Sequence, residues 1–288
     1  MKYLIICFAF FTAITINGQD KAFTIYNAKG KKVSYKKMIK TLAKKDIVLF
    51  GELHNNPISH WLQLEVTKSL GKKRNLILGA EMIERDNQKI LNDYLSGKIN
   101  EKQFDTLAHL WPNYETDYAP LVNYAKEHKI PFVAANIVRK YASMVYRGGF
   151  EALDTLSADE KKWIAKLPIE YDKDLPGYQK MLEMMGGHGG ENLPKAQAIK
   201  DATMAESIYN AYQLAIKNLE NVTFIHFNGA YHSDNYEGIL WYLKKLAPQL
   251  NYATITTVSQ ANIKKLLEEN KGIADFIIVV DEDMTTTY

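Results

Sequence analysis

Apolar residues along this chain fall into two kinds of pattern. Short, mainly apolar runs at residues 46–50, 76–79, 131–135 and 222–227 are bounded by turn-forming residues. Runs of four to eight apolar residues so bounded suit strands buried on both faces of a parallel sheet. Between them, apolar positions recur at helical spacing. Asn56 and Pro57 supply a capping side chain and a first-turn proline, and the stretch through Trp61, Leu62, Leu64, Val66 and Leu70 to Gly71 reads as an amphipathic helix. Further helices are predicted at 34–43, 87–95, 101–110 and 117–128. The resulting β-α-β-α-β order predicts right-handed parallel crossovers. Ahead of it, residues 23–27 and 32–34 flank Gly30 as a small hairpin that caps a sheet edge.

From about residue 139 to 218 no strand pattern emerges. Helical periodicity recurs at 142–146, 158–166, 178–185 and 196–216, so 139–219 is predicted to be a helical insertion. Residues 222–227 resume the sheet, a helix follows at 236–246, and strands are expected at 253–258 and 276–280 with a helix at 260–269 between them. The fold expected is α/β: three layers, a mainly parallel sheet flanked by helices, with the helical insertion inside a single domain covering 19–288.

Composition changes the picture at one end. Lys2 precedes an apolar stretch from Tyr3 to Ile16, and Asn17, Gly18 and Gln19 follow. That is the layout of a secretory signal peptide over residues 1–18, shorter than a membrane span. The expected location is therefore exported: periplasmic, secreted or at the cell surface. Cys7 is the sole cysteine and lies in that segment. Mature protein would then have neither disulfide nor thiolate chemistry. Ile6 is bulky where a lipidated cysteine needs a small neighbour, which argues against a lipid anchor. A net charge of +3 over 288 residues, with lysines dispersed, gives no support for nucleic-acid binding.

The candidate chemistry lies past the strand runs. Gly51-Glu52-Leu53-His54 and Gly229-Ala230-Tyr231-His232 repeat a Gly-x-x-His pattern after two apolar runs. In an open α/β sheet ligands bind beyond the carboxyl ends of the strands, so His54 and His232 are expected to share one crevice. Glu81 follows a second strand, Asn136 a third, and Asn228 precedes the second tetrad. Two histidines and two carboxylates, Glu52, His54, Glu81 and His232, suit a divalent metal such as zinc or manganese, or general acid and base work without one. His60, one turn into its helix, and Arg139 are further rim candidates. His226, inside an apolar run, reads as a core residue. Met181, Met184, Met185 and Met204 flank Gly186-Gly187-His188-Gly189-Gly190. They read as adaptable core filling or as a cofactor pocket under a glycine-rich loop. Tyr146, Tyr171 and Tyr178 lie nearby, and phenolate can ligate ferric haem. There is no Gly-x-Ser-x-Gly elbow and no Gly-x-Gly-x-x-Gly or Walker loop.

The runs Val48 to Pro57 and Gly79 to Asp86 with Gln88, then Trp111, Tyr118 to Leu121, Ala135-Asn136 with Arg139, Asp201 to Ala205, and the Gly229 to His232 tetrad together resemble the ChaN-like haem-binding proteins. That family shares a superfamily with Tiki and TraB proteases and erythromycin esterases. The likeness covers about residues 34–258. It implies the α/β scaffold with a helical part and a role in haem or iron acquisition at membrane-associated uptake machinery. It also implies a homodimer holding two stacked haems, each ligated by tyrosine. On that resemblance Tyr146, Tyr171, Tyr178, His188 and Met184 are the haem candidates. The paired tetrads equally resemble the Tiki protease signature, which implies a metal-dependent hydrolase built on Glu52, His54, Glu81 and His232. The chain departs from the family in lacking a suitably placed lipidated cysteine and in having Ala230-Tyr231 where glycine is commoner.

Overall fold

A computed structural model describes residues 21–184 and 190–288. Seven strands form one sheet in the order β1-β7-β6-β2-β5-β3-β4. They are β1 (Phe23–Asn27), β2 (Ile47–Glu52), β3 (Asn75–Glu84), β4 (Phe132–Asn136), β5 (Val222–Gly229), β6 (Tyr252–Gln260) and β7 (Phe276–Asp281). All pairings are parallel except β1 against β7.

The helices are α1 (Tyr35–Leu42), α2 (Pro57–Gly71), α3 (Gln88–Leu95), α4 (Glu101–Leu107), α5 (Ala119–Glu127), α6 (Arg139–Gly148), α7 (Pro176–Met184), α8 (Asn192–Ala215) and α9 (Ile239–Leu246). Alternation along the strands divides them between two layers. Val48 and Phe50 of β2 pack with Leu62 and Val66 of α2 and with Leu91 and Leu121 of α3 and α5. Ile47 and Leu49, pointing the other way, pack with Met204 and Ile208 of α8 and Leu243 of α9. Such two-sided burial is why the parallel strands read as mainly apolar runs. Steps toward β4 are made through helices on the first face and steps back toward β7 on the second, as right-handed crossovers require. Among the described residues from 139 to 219 only helices and turns occur. α6 packs on Leu153, Ile164 and Ile199, and α8 doubles as a layer of the sheet.

The hairpin at 23–34 forms at the sheet edge as a short antiparallel pairing: Val33 N donates to the Ile25 carbonyl at 2.8 Å and Asn27 N to the Lys31 carbonyl at 2.9 Å, with Gly30 at φ 72 in the turn. Two expectations need correction. No α-helix forms at 260–269, only a short 3-10 turn at Glu268–Asn270. The Gln260 side chain bonds the carbonyls of Asn262 and Lys265, and Asn262 Oδ1 accepts from Lys264 N at 2.8 Å; these local bonds compete with helical ones. Residues 158–166 hold only a short 3-10 turn at Glu160–Trp163. Ile164 turns extended there, and its carbonyl accepts from Arg85 Nη1 at 2.7 Å.

Candidate functional site

β2, β5 and β3 are adjacent, and their carboxyl ends carry the site. The register places Glu52 opposite Gly229 and Gly51 opposite Asn228. A Cβ on Gly51 would lie 2.9 Å from Ala230 Cα, so glycine there lets the chain leaving β5 cross the end of β2. Glu52 is buried to 1% exposure and acts as an acceptor hub. His54 Nδ1 donates to its Oε1 at 2.8 Å and Tyr118 OH to the same oxygen at 2.7 Å. Gln63 Nε2 bonds Oε2, and His60 Nδ1 stands 3.5 Å from it. His60 Nε2 donates to the His54 carbonyl at 3.1 Å. Burial alone would raise the Glu52 pKa, but the bonds and fields of His54 and His60 bring it below the ordinary carboxylate value. Burial opposes charge on His54, and the Glu52 bond with the fields of Glu81 and Glu52 outweighs it, leaving the imidazole pKa raised.

The His54 side chain is 34% exposed, and its ring meets Trp111 edge-on at 4.9 Å. On the other side it lies against the backbone of Gly229, where a Cβ would come 2.7 Å from Nε2. The second tetrad thus makes room for the histidine of the first. Chemically, an imidazole with Nδ1 held by a buried carboxylate and Nε2 free of such a bond has the arrangement of a general base.

His232 is enclosed between two carboxylates. Its Nδ1 lies 2.5 Å from Asp201 Oδ1 and its Nε2 3.1 Å from Glu81 Oε1. Glu81 Oε2 also accepts from Gly229 N at 2.7 Å. Burial resists charging His232, yet the fields of Glu81 and Asp201 raise its pKa to about 10. Glu81 is held far below the usual carboxylate range against its own burial by that imidazolium, while burial pushes Asp201 up. At neutral pH His232 is therefore an imidazolium, balanced by the Glu81 carboxylate and hydrogen-bonded to Asp201.

These contacts bear on the metal expectation. Both nitrogens of His232 face carboxylates as hydrogen donors, and the Glu52 lone pairs are filled by His54, Tyr118 and Gln63. Among the described residues no group of three or more His, Asp or Glu side chains is arranged to hold a metal ion. The four residues therefore form two hydrogen-bonded ion-pair networks side by side, and a divalent ion finds no support in the donor set.

The remaining candidates separate clearly. Asn136 Nδ2 donates to the Glu81 carbonyl at 2.9 Å and so fixes that strand end. Asn228 is buried and bonds Ser233 Oγ at 3.0 Å and His226 Nδ1 at 3.1 Å. His226 is a neutral core histidine, its pKa pressed down to about 4 by burial. Tyr178 is buried at 4% exposure with its hydroxyl 3.5 Å from Asp201 Oδ2; burial and the Asp201 field push its phenol pKa up. Tyr171 is held between Phe150 and Tyr178 at ring distances of 5.6 and 5.5 Å. Tyr146 differs: it is 45% exposed on α6 and lines a cleft of about 390 Å³ together with Arg139, Lys200, Trp111 and Leu193, with Glu81 at its floor. Met204 is core filling on α8 and Met184 is 71% exposed at the end of α7, so these two do not share a pocket. His188 and Met185 lie outside the described residues, as does the expected signal peptide.

Asp201, Gln63, Tyr118 and Lys200 were not among the expected site residues. A signal for Asp201 was present: a carboxylate inside Ala198, Ile199, Ala202, Met204 and Ala205 sits on the buried face of a helix and needs a cation. Gln63 offered none, because glutamine on a helix is ordinary; Tyr118 stands in the family-like run Tyr118 to Leu121, but nothing in that run marks its hydroxyl as a partner of Glu52.

The chain belongs to the haem-binding uptake family of the Tiki superfamily, ChaN, whose profile matches residues 38–243. Among solved structures it is similar to ChaN of Campylobacter jejuni, described by its cofacial haem binding, with a TM-score of 0.66, 18% identity, and coverage of 91% of this chain and 98% of that one. A Bacillus cereus protein aligns with a TM-score of 0.46, 13% identity and coverage of 90% and 95%. An erythromycin esterase in its open conformation aligns at 0.45, 10% identity and coverage of 89% and 83%. Comparison with curated proteins finds no match.

Proposed function

We propose that this chain is an exported haem-binding protein serving haem or iron acquisition, and that Tyr146 is the residue that meets the iron. The observation that carries this is the cleft on α6: of the three tyrosines considered, Tyr146 alone opens onto it with its ring partly in solvent. The donor set fits a porphyrin. Tyr146 would offer the phenolate ligand that ferric iron accepts. Arg139 and Lys200 would meet propionates, and Trp111, Ile137 and Leu193 give the apolar faces. Haem so held would be cargo, its iron kept ferric by a hard anionic ligand. Glu81 at the floor is already neutralised by His232, so it does not repel the propionates as a free carboxylate would.

The cleft is open, and one porphyrin face would remain uncovered, which favours a second copy of the chain as the cover and hence a dimer when loaded. Export rests on the leader-like residues 1–18. Among the described residues no helix is long and apolar enough to cross a membrane.

Titration of the purified protein with ferric haem, read by absorbance and by size-exclusion chromatography, tests this. The expected result is saturable binding with a tyrosinate-type spectrum and a shift to dimer, both lost in Tyr146→Phe. An unchanged spectrum in Tyr146→Phe would overturn the assignment. Absence of saturable binding would overturn the function, and would turn attention to acid and base chemistry at His54 and Glu52.

A further inference from the structure

A groove of about 1090 Å³ runs along the outer edge of β4, between α3 and α5 on one face of the sheet and α8 on the other. It lies apart from the Tyr146 cleft. An open strand edge ordinarily invites another strand to pair with it, but here the backbone is already answered. The Gln88 amide bridges it as a neighbouring strand would: Nε2 donates to the Phe132 carbonyl at 3.0 Å and Oε1 accepts from Ala134 N at 2.7 Å. A peptide strand would find these two groups of the edge already taken.

What the groove offers instead is an apolar wall, from Leu95, Ile130, Ala211, Leu214 and Trp163, with Leu214 left 64% exposed. Its rim is cationic, with Lys129, with Lys126 over the Tyr94 ring at 3.7 Å, and with Lys162 in a solvent-exposed pair with Asp159 that a carboxylate ligand would compete for. The one carboxylate in the lining, Glu206, is already paired with Arg85 at 3.1 Å. Its volume lies just above the range of small-ligand sites, roughly 300–1,000 Å³. An apolar trough with satisfied polar groups and a basic rim complements a molecule with a long aliphatic chain and one negative head.

We propose that this groove binds a long-chain carboxylate, with the chain along β4 and the carboxylate at the lysine rim. The proposal stands independently of the haem assignment. The test is a titration of the purified full chain with oleate, below its micellar concentration, followed by tryptophan emission and by calorimetry. Oleate should bind saturably at one site. Trp163→Phe should remove most of the emission change and leave the heat. Ala211→Trp, which fills the groove from the solvent side of α8, should weaken binding at least about ten-fold. Lys129→Gln with Lys162→Gln, both on the surface, should weaken oleate roughly three- to ten-fold, as solvent-exposed charge pairs do, and leave oleyl alcohol unaffected. Tyr146→Phe should bind oleate normally, so failure of the haem assignment and failure of this one are told apart. Absence of saturable binding would overturn the proposal. So would binding indifferent to both the groove-filling and the lysine variants, or association only with anionic lipid vesicles.

Discussion

Replacing His232 by glutamine removes the cation from between Asp201 and Glu81, which are 1% and 5% exposed. The size of the effect follows from the raised pKa. A shift from 6.5 to about 10 at 1.36 kcal/mol per unit amounts to about 5 kcal/mol, to order of magnitude. Removing one member of a buried ion pair costs about 3–5 kcal/mol by mutational precedent, so the two routes agree. The sign is fixed by linkage: a group whose folded pKa lies above its unfolded one contributes fully below the unfolded value. The His232 contribution is therefore complete below pH 6.5 and lost as pH rises through 10. Glu81, with its pKa lowered from 4.5, contributes above that value and loses its contribution as pH falls; because its partner is the same imidazolium, the two terms describe one interaction. Urea unfolding of the wild type and His232→Gln across about pH 5.5 to 10 should show a gap of about 3–5 kcal/mol near pH 6 that narrows steadily toward pH 10. Parallel curves over that range would refute the buried imidazolium. If His232→Gln fails to fold, Asp201→Asn serves: it removes one of the two raising fields and should move the alkaline loss of stability to lower pH.

Gly229→Ala places a methyl 2.7 Å from His54 Nε2 and 2.9 Å from Cε1. Gly229 has φ −57 and ψ 139, which alanine adopts freely, so the whole effect is the collision. About 1–3 kcal/mol is the usual cost of such overpacking, and His54 is exposed enough to swing aside; its pKa, followed by NMR, should fall as it leaves Glu52, and an unchanged value would contradict the contact. Tyr178→Phe removes the 3.5 Å hydroxyl contact to Asp201 and the hydrogen bond with Tyr242; denaturation should register about 1–3 kcal/mol, with the haem spectrum unchanged, whereas loss of haem would place the ligand at Tyr178.

Much of the architecture was legible because parallel strands buried on both faces announce themselves. β2, β4 and β5 were each found to within about two residues of their ends. β3 was read as four residues and is ten residues long, Asn75–Glu84, because Glu81 interrupts the apolar run and the strand shifts register against β4 between Ala80 and Glu84. Glu81 thus lies within its strand, where a carboxylate is tolerated only beside a cation. His54, Glu52, Glu81 and His232 meet at the carboxyl ends of β2, β3 and β5. That they pair with one another and with Asp201, Gln63 and Tyr118, leaving no vacant ligand set, depends on side chains from α2, α8 and the segment before α5. Nothing in the linear order brings those to the strand ends. Similarly, the three tyrosines of the helical region are equivalent in sequence; only packing buries Tyr178 beside Asp201 and leaves Tyr146 facing solvent.

The position of β5 has a consequence for how the molecule comes into being. It lies between β2 and β3 in the sheet, yet residues 222–229 follow them by the length of the whole helical region. A chain delivered from its N-terminus has β2 and β3 early, with no means of joining them, since each is the other's neighbour only through β5. Such non-local pairing is slow and leaves strand edges exposed until it is complete. Truncation before Val222 would remove β5 and leave β2 unjoined to β3 and β4 in place of a smaller domain. Assembly of the strand-end networks, which need Gly229 against His54 and His232 between Glu81 and Asp201, is then among the last events of folding, and a half-delivered chain has no finished site with which to capture anything it passes on the way.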